Sequence, residues 1–274
     1  MANKTAEKAT EKNPSEKPTS QSNERLLGTE KQNKVPFAVV EAYKTIRIHL
    51  ISTLQKINGK VFAISSANAA EGKSTTAINI AIAMSQLNKK ILIIDADSRR
   101  STIHKKLKLE NELGCIDVIN CTSKIPDVVK KYNDNLDILT SGTAANNPSE
   151  LFSTDSFEQL LIDAKEIYDY VIIDTPPINM VSDALVISQK CDGLLLIVRA
   201  DVTTYGAFQR TVDNTKELNI NLLGVVINGT DSEKSYKYSK YGKYGKYGKY
   251  GYSRYGYYRY RNNSYYGSRN SEKK

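Results

Sequence analysis

The sequence predicts an α/β domain with a mostly parallel sheet flanked by helices. Three observations carry that prediction. Short apolar runs recur at residues 61–65, 91–94, 136–139, 170–173, 194–198 and 222–227. Most of these runs are continuously apolar instead of alternating, as strands covered on both faces are. Between them lie stretches with room for a helix, among them 74–87, 154–167, 182–189 and 204–218. Strand and helix alternating in this way mean parallel strands joined by crossovers.

One helix is expected ahead of the sheet. Pro36 opens residues 37–57, where Val39, Val40, Tyr43, Ile46, Leu50 and Leu54 follow a mostly helical spacing. Proline suits the first turn of a helix because its missing N–H has no partner there anyway. Asn58-Gly59 then separates this helix from the first strand. Residues 1–34 are polar and charged and bury too little surface to offset their ordering entropy, so disorder is expected. Past Gly229 the composition changes again. A Lys-Tyr-Gly repeat puts Tyr241, Tyr244, Tyr247 and Tyr250 in register, and thirteen of the eighteen tyrosines fall between Tyr236 and Tyr266. Glycine and charge forbid a packed core there, which predicts a flexible tail. The expected organisation is a disordered segment at 1–34, a folded domain at 35–231 and a tail at 232–274.

A chain of 274 residues suits one such domain and needs no disulfide or metal staple. Cys115, Cys121 and Cys191 are odd in number and form no C-x-x-C pair, which argues for reduced thiols. No apolar run approaches the roughly 20 residues that cross a bilayer, and the N-terminus lacks a secretory pattern. A soluble cytoplasmic protein is expected. The net charge of +9 is uneven: from Ser232 onward twelve Lys and Arg face two Glu, leaving +10 there and −1 on the other 231 residues. The basic character therefore concerns the tail's partners.

The segment Asn68-Ala69-Ala70-Glu71-Gly72-Lys73-Ser74-Thr75 follows the first strand and opens a helix. That is the setting of a phosphate-binding P-loop, and it makes the expected fold P-loop NTPase-like. Gly72 lets backbone approach the phosphates, and the helix N-terminus offers N–H groups to an anion. Lys73 is placed to reach the β- and γ-phosphates of ATP, and the Ser74 hydroxyl to ligate Mg²⁺. Ala67 stands where the first glycine of such loops usually is.

Two further strands end in carboxylates. Residues 91–94 run into Asp95-Ala96-Asp97-Ser98-Arg99, and 171–173 run into Asp174-Thr175-Pro176-Pro177. In an open parallel sheet the ligand lies beyond the carboxyl ends of the strands, so these acids should converge on the loop's ligand. Mg²⁺ takes few protein carboxylates along with phosphate oxygens and water. Asp174 and Asp95 fit that role. Asp97, just past its strand, is placed to accept a proton from an attacking hydroxyl.

With these residues the sequence resembles the bacterial tyrosine kinases that control capsule and exopolysaccharide assembly. The resemblance rests on Glu71-Gly72-Lys73-Ser74-Thr75, on a D-x-D-x-R motif at Asp95, Asp97 and Arg99, on D-x-x-P at Asp174 and Pro177, and on the tyrosine cluster. It implies ATP and Mg²⁺ as ligands, Lys73 on the phosphates, Asp95 and Asp174 serving the metal and Asp97 as base. The acceptors it implies are Tyr236, Tyr238, Tyr241, Tyr244, Tyr247, Tyr250, Tyr252, Tyr255, Tyr257, Tyr258, Tyr260, Tyr265 and Tyr266, besides tyrosines of other proteins. It further implies a ring-shaped homo-oligomer through E-x-x-R-x-x-R, matched here as Glu41, Lys44 and Arg47. A separate membrane adaptor, with an activating cytoplasmic end, would hold the kinase at the inner face of the membrane. Two departures stand out: Ala69-Ala70 replaces a usual Pro-Gly, and Lys44 replaces an arginine. Asn228, at the end of the last strand, resembles a base-contacting position of related ATPases, and also suits a simple turn.

Two other functions compete. A ParA/MinD-type ATPase would carry a lysine five residues before Lys73, where this chain has Asn68. Such a protein's C-terminal membrane helix is also unmatched, since the tail has no apolar face. Single-stranded nucleic acid could bind basic residues interleaved with aromatics, as in the tail. Three carboxylates at strand ends are superfluous for that, and no nucleic-acid partner is expected.

Overall fold

The computed structural model describes residues 26–27 and 35–230. The expectations for the tail, and for most of 1–34, lie outside the described residues. Leu26 and Leu27 are an exception within the segment expected to be disordered. Both are buried in the core, and the Leu27 N–H donates to Asn79 Oδ1 at 2.8 Å. Two adjacent leucines supply the apolar anchor that the surrounding polar residues lack.

A seven-stranded sheet forms the centre of the domain. Its strands are β1 (Val61–Ser66), β2 (Ile91–Asp95), β3 (Lys130–Asn133), β4 (Leu136–Leu139), β5 (Tyr170–Asp174), β6 (Gly193–Arg199) and β7 (Leu222–Asn228). Their spatial order is β3-β4-β2-β5-β1-β6-β7. Every neighbouring pair is parallel except β3–β4 at one edge. The expected six strands are all present. The seventh, β3, alternates partly buried and exposed residues over only four positions, so it leaves no apolar run to find.

The helices are α1 (Phe37–Lys56), α2 (Lys73–Ser85), α3 (Ile103–Leu107), α4 (Cys115–Ile119), α5 (Ile125–Val128), α6 (Pro148–Ser153), α7 (Asp155–Ile167), α8 (Asp183–Gln189) and α9 (Tyr205–Glu217). The five long predicted helices match α1, α2, α7, α8 and α9 within a few residues. The four short ones between Ile103 and Ser153 were not expected, being too brief to show a helical period.

Burial on both faces explains the continuous apolar strands. Phe62, Ile64, Ile93, Ile172 and Ile197 face one cluster, shared with α2 and with Leu50 and Leu54 of α1. Val61, Leu92, Ile94, Val171 and Ile173 face a second, with Phe157, Leu160 and Leu161 of α7. Ala63, Leu194 and Leu196 face a third. Side chains alternate between faces along a strand, so each neighbour in sequence enters a different core. Helix α2 is buried almost all round because α1 covers its outer side.

That same alternation positions the acids. Asp95 and Asp174 are register partners across β2 and β5. Each lies two residues past an isoleucine on the α2 side, Ile93 or Ile172, so both carboxylates join that face at the carboxyl end of the sheet. This is where α2 begins.

Candidate active site

The loop between β1 and α2 is held in an unusual backbone path. Gly72 has φ +94° and Ala70 has φ +62°. Gly72 is required twice over: its φ is left-handed, and a Cβ there would come 2.2 Å from Asn228 Nδ2. At Ala70 the same left-handed region is filled by a residue that pays for it with roughly 1–2 kcal/mol of steric strain. A glycine is the natural occupant of such a position.

Neighbouring elements brace this path. Arg199, at the end of β6, donates to Ala70 O at 3.0 Å. Asn228, at the end of β7, donates to Glu71 O at 3.0 Å. The Glu71 side chain, only 1% exposed, accepts from Asn68 N at 3.1 Å, Asn68 Nδ2 at 3.2 Å and Thr203 Oγ1 at 2.7 Å. An acid inside an anion-binding loop would repel its ligand unless turned away and partnered. The sequence places Glu71 among the nucleotide-binding residues of the loop; its side chain is instead turned onto Asn68 and Thr203. Arg199 and Thr203 were not anticipated at all.

Beyond the loop, Lys73 starts α2 with its ammonium among carboxylates. It donates to Asp97 Oδ2 at 2.9 Å and to Ser74 Oγ at 3.2 Å, and lies 3.5 Å from Asp174 Oδ1. Burial works to lower the lysine, but the charges of Asp174, Asp97 and Asp95 more than reverse that and hold it above its ordinary value. Burial, and then the charge of Asp174, push Asp95 up to about 7. Burial likewise raises Asp174 against the pull of Lys73.

The two strand-end acids are held differently. Asp95 accepts backbone N–H groups from Asp97, Thr102 and Ile103 at 3.1–3.2 Å, which shapes the turn after β2. Asp174 is fully buried and neither oxygen completes a well-formed hydrogen bond; Lys73 Nζ stands 3.5 Å away, and the Lys73 charge and the nearby Ser74 hydroxyl act to hold its carboxyl down. A buried carboxylate without donors suits a cation brought by the ligand. Among the described residues no group of three or more His, Cys, Asp or Glu gathers into a metal cluster. The Ser74 hydroxyl and the Asp174 and Asp95 carboxylates are oxygen donors of the kind a hard cation such as Mg²⁺ takes, few in number and beside a phosphate loop.

Arg99, the end of the D-x-D-x-R motif, is positioned by a residue that sequence reasoning missed. Its guanidinium forks onto Asp183 of α8, with Nε to Oδ2 at 2.7 Å and Nη2 to Oδ1 at 3.2 Å. Ser149 adds a hydroxyl to Asp183 Oδ1 at 2.6 Å. Burial pushes Asp183 up, but these donors outweigh it and hold the carboxyl below its usual range.

The structure thus brings together Asn68, Ala70, Glu71, Gly72, Lys73, Ser74, Asp95, Asp97, Asp174 and Asn228. Glu41, Lys44 and Arg47 lie apart on α1. Lys44 pairs with Glu41 at 2.7 Å, while Arg47 Nη1 donates to Ala83 O in the last turn of α2 at 2.7 Å. The tail tyrosines fall outside the described residues.

The chain has relatives among known proteins. The family model described as an AAA domain matches residues 59–222. The tyrosine-protein kinase YwqD of Bacillus subtilis is 38% identical over 199 residues, covering 72% of this chain and 84% of YwqD. The tyrosine-protein kinase Etk of Escherichia coli is 30% identical over 203 residues, 74% of this chain but 28% of Etk. The solved kinase domain of Etk superposes with a TM-score of 0.68 at 28% identity, covering 76% of this chain and 88% of that domain.

Proposed function

The chain belongs to the bacterial tyrosine kinases, and we propose that it transfers the γ-phosphoryl group of ATP to the tyrosines of its own C-terminal cluster. One observation carries the proposal: Lys73 lies within 2.9 Å of Asp97 and 3.5 Å of Asp174, at the mouth of a braced phosphate loop. Bound Mg²⁺ would supply charge neutralisation on the phosphates. The chain's own residues do the rest. Gly72 and the first N–H groups of α2 receive the phosphate oxygens. Lys73 turns from Asp97 to the phosphates, and in doing so frees Asp97. A tyrosine hydroxyl has a pKa near 10, about three units above neutrality, so an unpaired Asp97 beside it is useful as a proton acceptor. Asn228 is occupied by the loop backbone, which supports a bracing role at least as well as contact with the nucleobase.

The ParA/MinD-type reading is weakened at Asn68. Where that mechanism needs a lysine reaching outward, Asn68 turns inward onto Glu71.

Assembly is the second part of the proposal. Phe37, Glu41, Lys44 and Ile48 follow one another along one face of α1, at helical spacing, and Phe37 and Ile48 are 76% and 62% exposed. That exposed stripe supports packing of α1 on a second copy and so a ring. Among the described residues no helix is long and apolar enough to cross a membrane. We place the kinase at the inner membrane face through a separate adaptor, regulating capsule or exopolysaccharide synthesis. Each phosphotyrosine adds about −1.5 to −2 of charge, so about five or six would cancel the tail's +10 and loosen the ring. Light scattering of a chain with glutamates replacing the tail tyrosines should show a lower mass; an unchanged mass would contradict the loosening.

The decisive experiment incubates the full chain with labelled ATP, Mg²⁺ and the cytoplasmic end of an adaptor. Label should appear on the tail tyrosines. ATP hydrolysis with no protein label would replace the kinase reading by the ATPase one.

A further inference from the structure

Five of the eighteen tyrosines lie outside the tail cluster: Tyr43, Tyr132, Tyr168, Tyr170 and Tyr205. The fold uses four of them for packing. Tyr168 and Tyr170 are buried, and Tyr168 donates its hydroxyl to Asp137 at 2.8 Å. Tyr43 and Tyr132 are partly buried against the core. Tyr205 contrasts with all of them. It is 78% exposed at the first residue of α9, and among the described residues its hydroxyl bonds Gln209 Oε1 alone, at 3.2 Å, one turn along the same helix.

A second, independent observation concerns sequence. Six tail tyrosines are followed by glycine: Tyr241, Tyr244, Tyr247, Tyr250, Tyr255 and Tyr266. Of the five domain tyrosines only Tyr205 is, by Gly206. A Cβ built at Gly206 would meet nothing within 4 Å, so space does not demand this glycine and the backbone beside the tyrosine stands open.

We propose that Tyr205 is a phosphoacceptor in the folded domain, modified by a second copy of this kinase. The proposal rests on the reading that the enzyme phosphorylates the tail's Tyr-Gly sites, and extends it to the one domain tyrosine that shares both their accessibility and their neighbour. The phenolic oxygen attacks the γ-phosphorus of ATP, the bond to the ADP oxygen breaks, and the phenolic proton passes to Asp97 of the copy that acts. The products are phosphotyrosine and ADP. Position favours transfer between copies over transfer within one chain. Strand β6, which leads to Tyr205, is three places from β2, which leads to Asp97. At about 4.8 Å per strand that is about 14 Å, and Tyr205 is fixed at the start of a helix with its hydroxyl lying back along it. The product is tolerated where it forms. A dianion in the first turn of a thirteen-residue helix meets the favourable end of the helix dipole, and Thr204 already caps that end through its bond from Ala207 N.

The test uses two full-length chains of different tag size. One is the unaltered kinase. The other carries Lys73→Met and phenylalanine at all thirteen tail tyrosines, and serves only as substrate. After incubation with ATP, Mg²⁺ and the adaptor's cytoplasmic end, phosphopeptide mass spectrometry should find the substrate chain modified at Tyr205. Tyr205→Phe in that chain should reduce its label to background. Label on the unaltered chain's tail with none at Tyr205 would overturn this proposal alone. No protein label on either chain would overturn the kinase reading and this proposal with it. Label on the substrate chain that persists in Tyr205→Phe would also overturn it, by placing the acceptor elsewhere.

Discussion

The two walls of the site are built on opposite rules. On the loop wall the bracing groups are all partnered: Glu71 accepts three hydrogen bonds, and Arg199 and Asn228 occupy the carbonyls of Ala70 and Glu71. On the floor, Asp174 is buried with both oxygens short of a hydrogen bond, and Asp95 beside it is raised to about 7. A buried polar group that is satisfied adds rigidity, and one left wanting costs free energy until something completes it. The loop wall is therefore scaffold. The floor is where the incoming ligand's charge is to be met, and Lys73 meanwhile stands in for it.

The largest effect should come from removing that stand-in. Lys73→Met takes away both the ground-state counter-ion and the proposed phosphate contact, and tail labelling should fall by about 10²–10³ or more. Labelling that survived would sink the assignment of the loop. Asp174→Asn tests the floor itself. Nucleotide should still bind, since the loop wall is intact, but calorimetry should show that added Mg²⁺ no longer strengthens binding. An unchanged Mg²⁺ response would mean the metal site lies elsewhere.

A change on the other wall should act on stability first. Thr203→Val keeps the shape but leaves Glu71 one donor short, which should cost about 1–3 kcal/mol in denaturant unfolding. Thr203→Ser should restore most of it. If valine were neutral, the contrast between the walls would lose its basis.

The smallest effect is a pH dependence. Asp95 has an ordinary value of 3.8 when unfolded and about 7 when folded. Between those values the folded protein holds a proton that the unfolded chain has released. The stability linked to this group is complete below about pH 4 and declines as pH rises through 7. The melting temperature of the nucleotide-free protein should therefore drop from pH 6 to pH 8, and Asp95→Asn should flatten that slope. A slope unaffected by the substitution would assign it to another group.

The contrast also explains what could be recognised without coordinates. Lys73, Ser74, Asp95, Asp97 and Asp174 sit at fixed distances from strand ends, so local patterning exposes them. Their supports do not. Thr203 lies 132 residues from Glu71, Arg199 lies 129 from Ala70, and Asp183 lies 84 from Arg99. Nothing local marks a threonine in a turn as the partner of a distant acid. The strands were visible because burial on both faces of the sheet compels unbroken apolar runs. The short α4 was not, because it depends on Asp117 accepting from Gly114 N and from Thr143, a tie made by tertiary structure.

Ala70 carries a consequence for which substitutions the loop accepts. Its left-handed backbone strains an alanine by roughly 1–2 kcal/mol, while the Arg199 guanidinium holds the carbonyl of the same residue. Glycine there would shed the strain and keep the grip, since the arginine bonds backbone and not side chain.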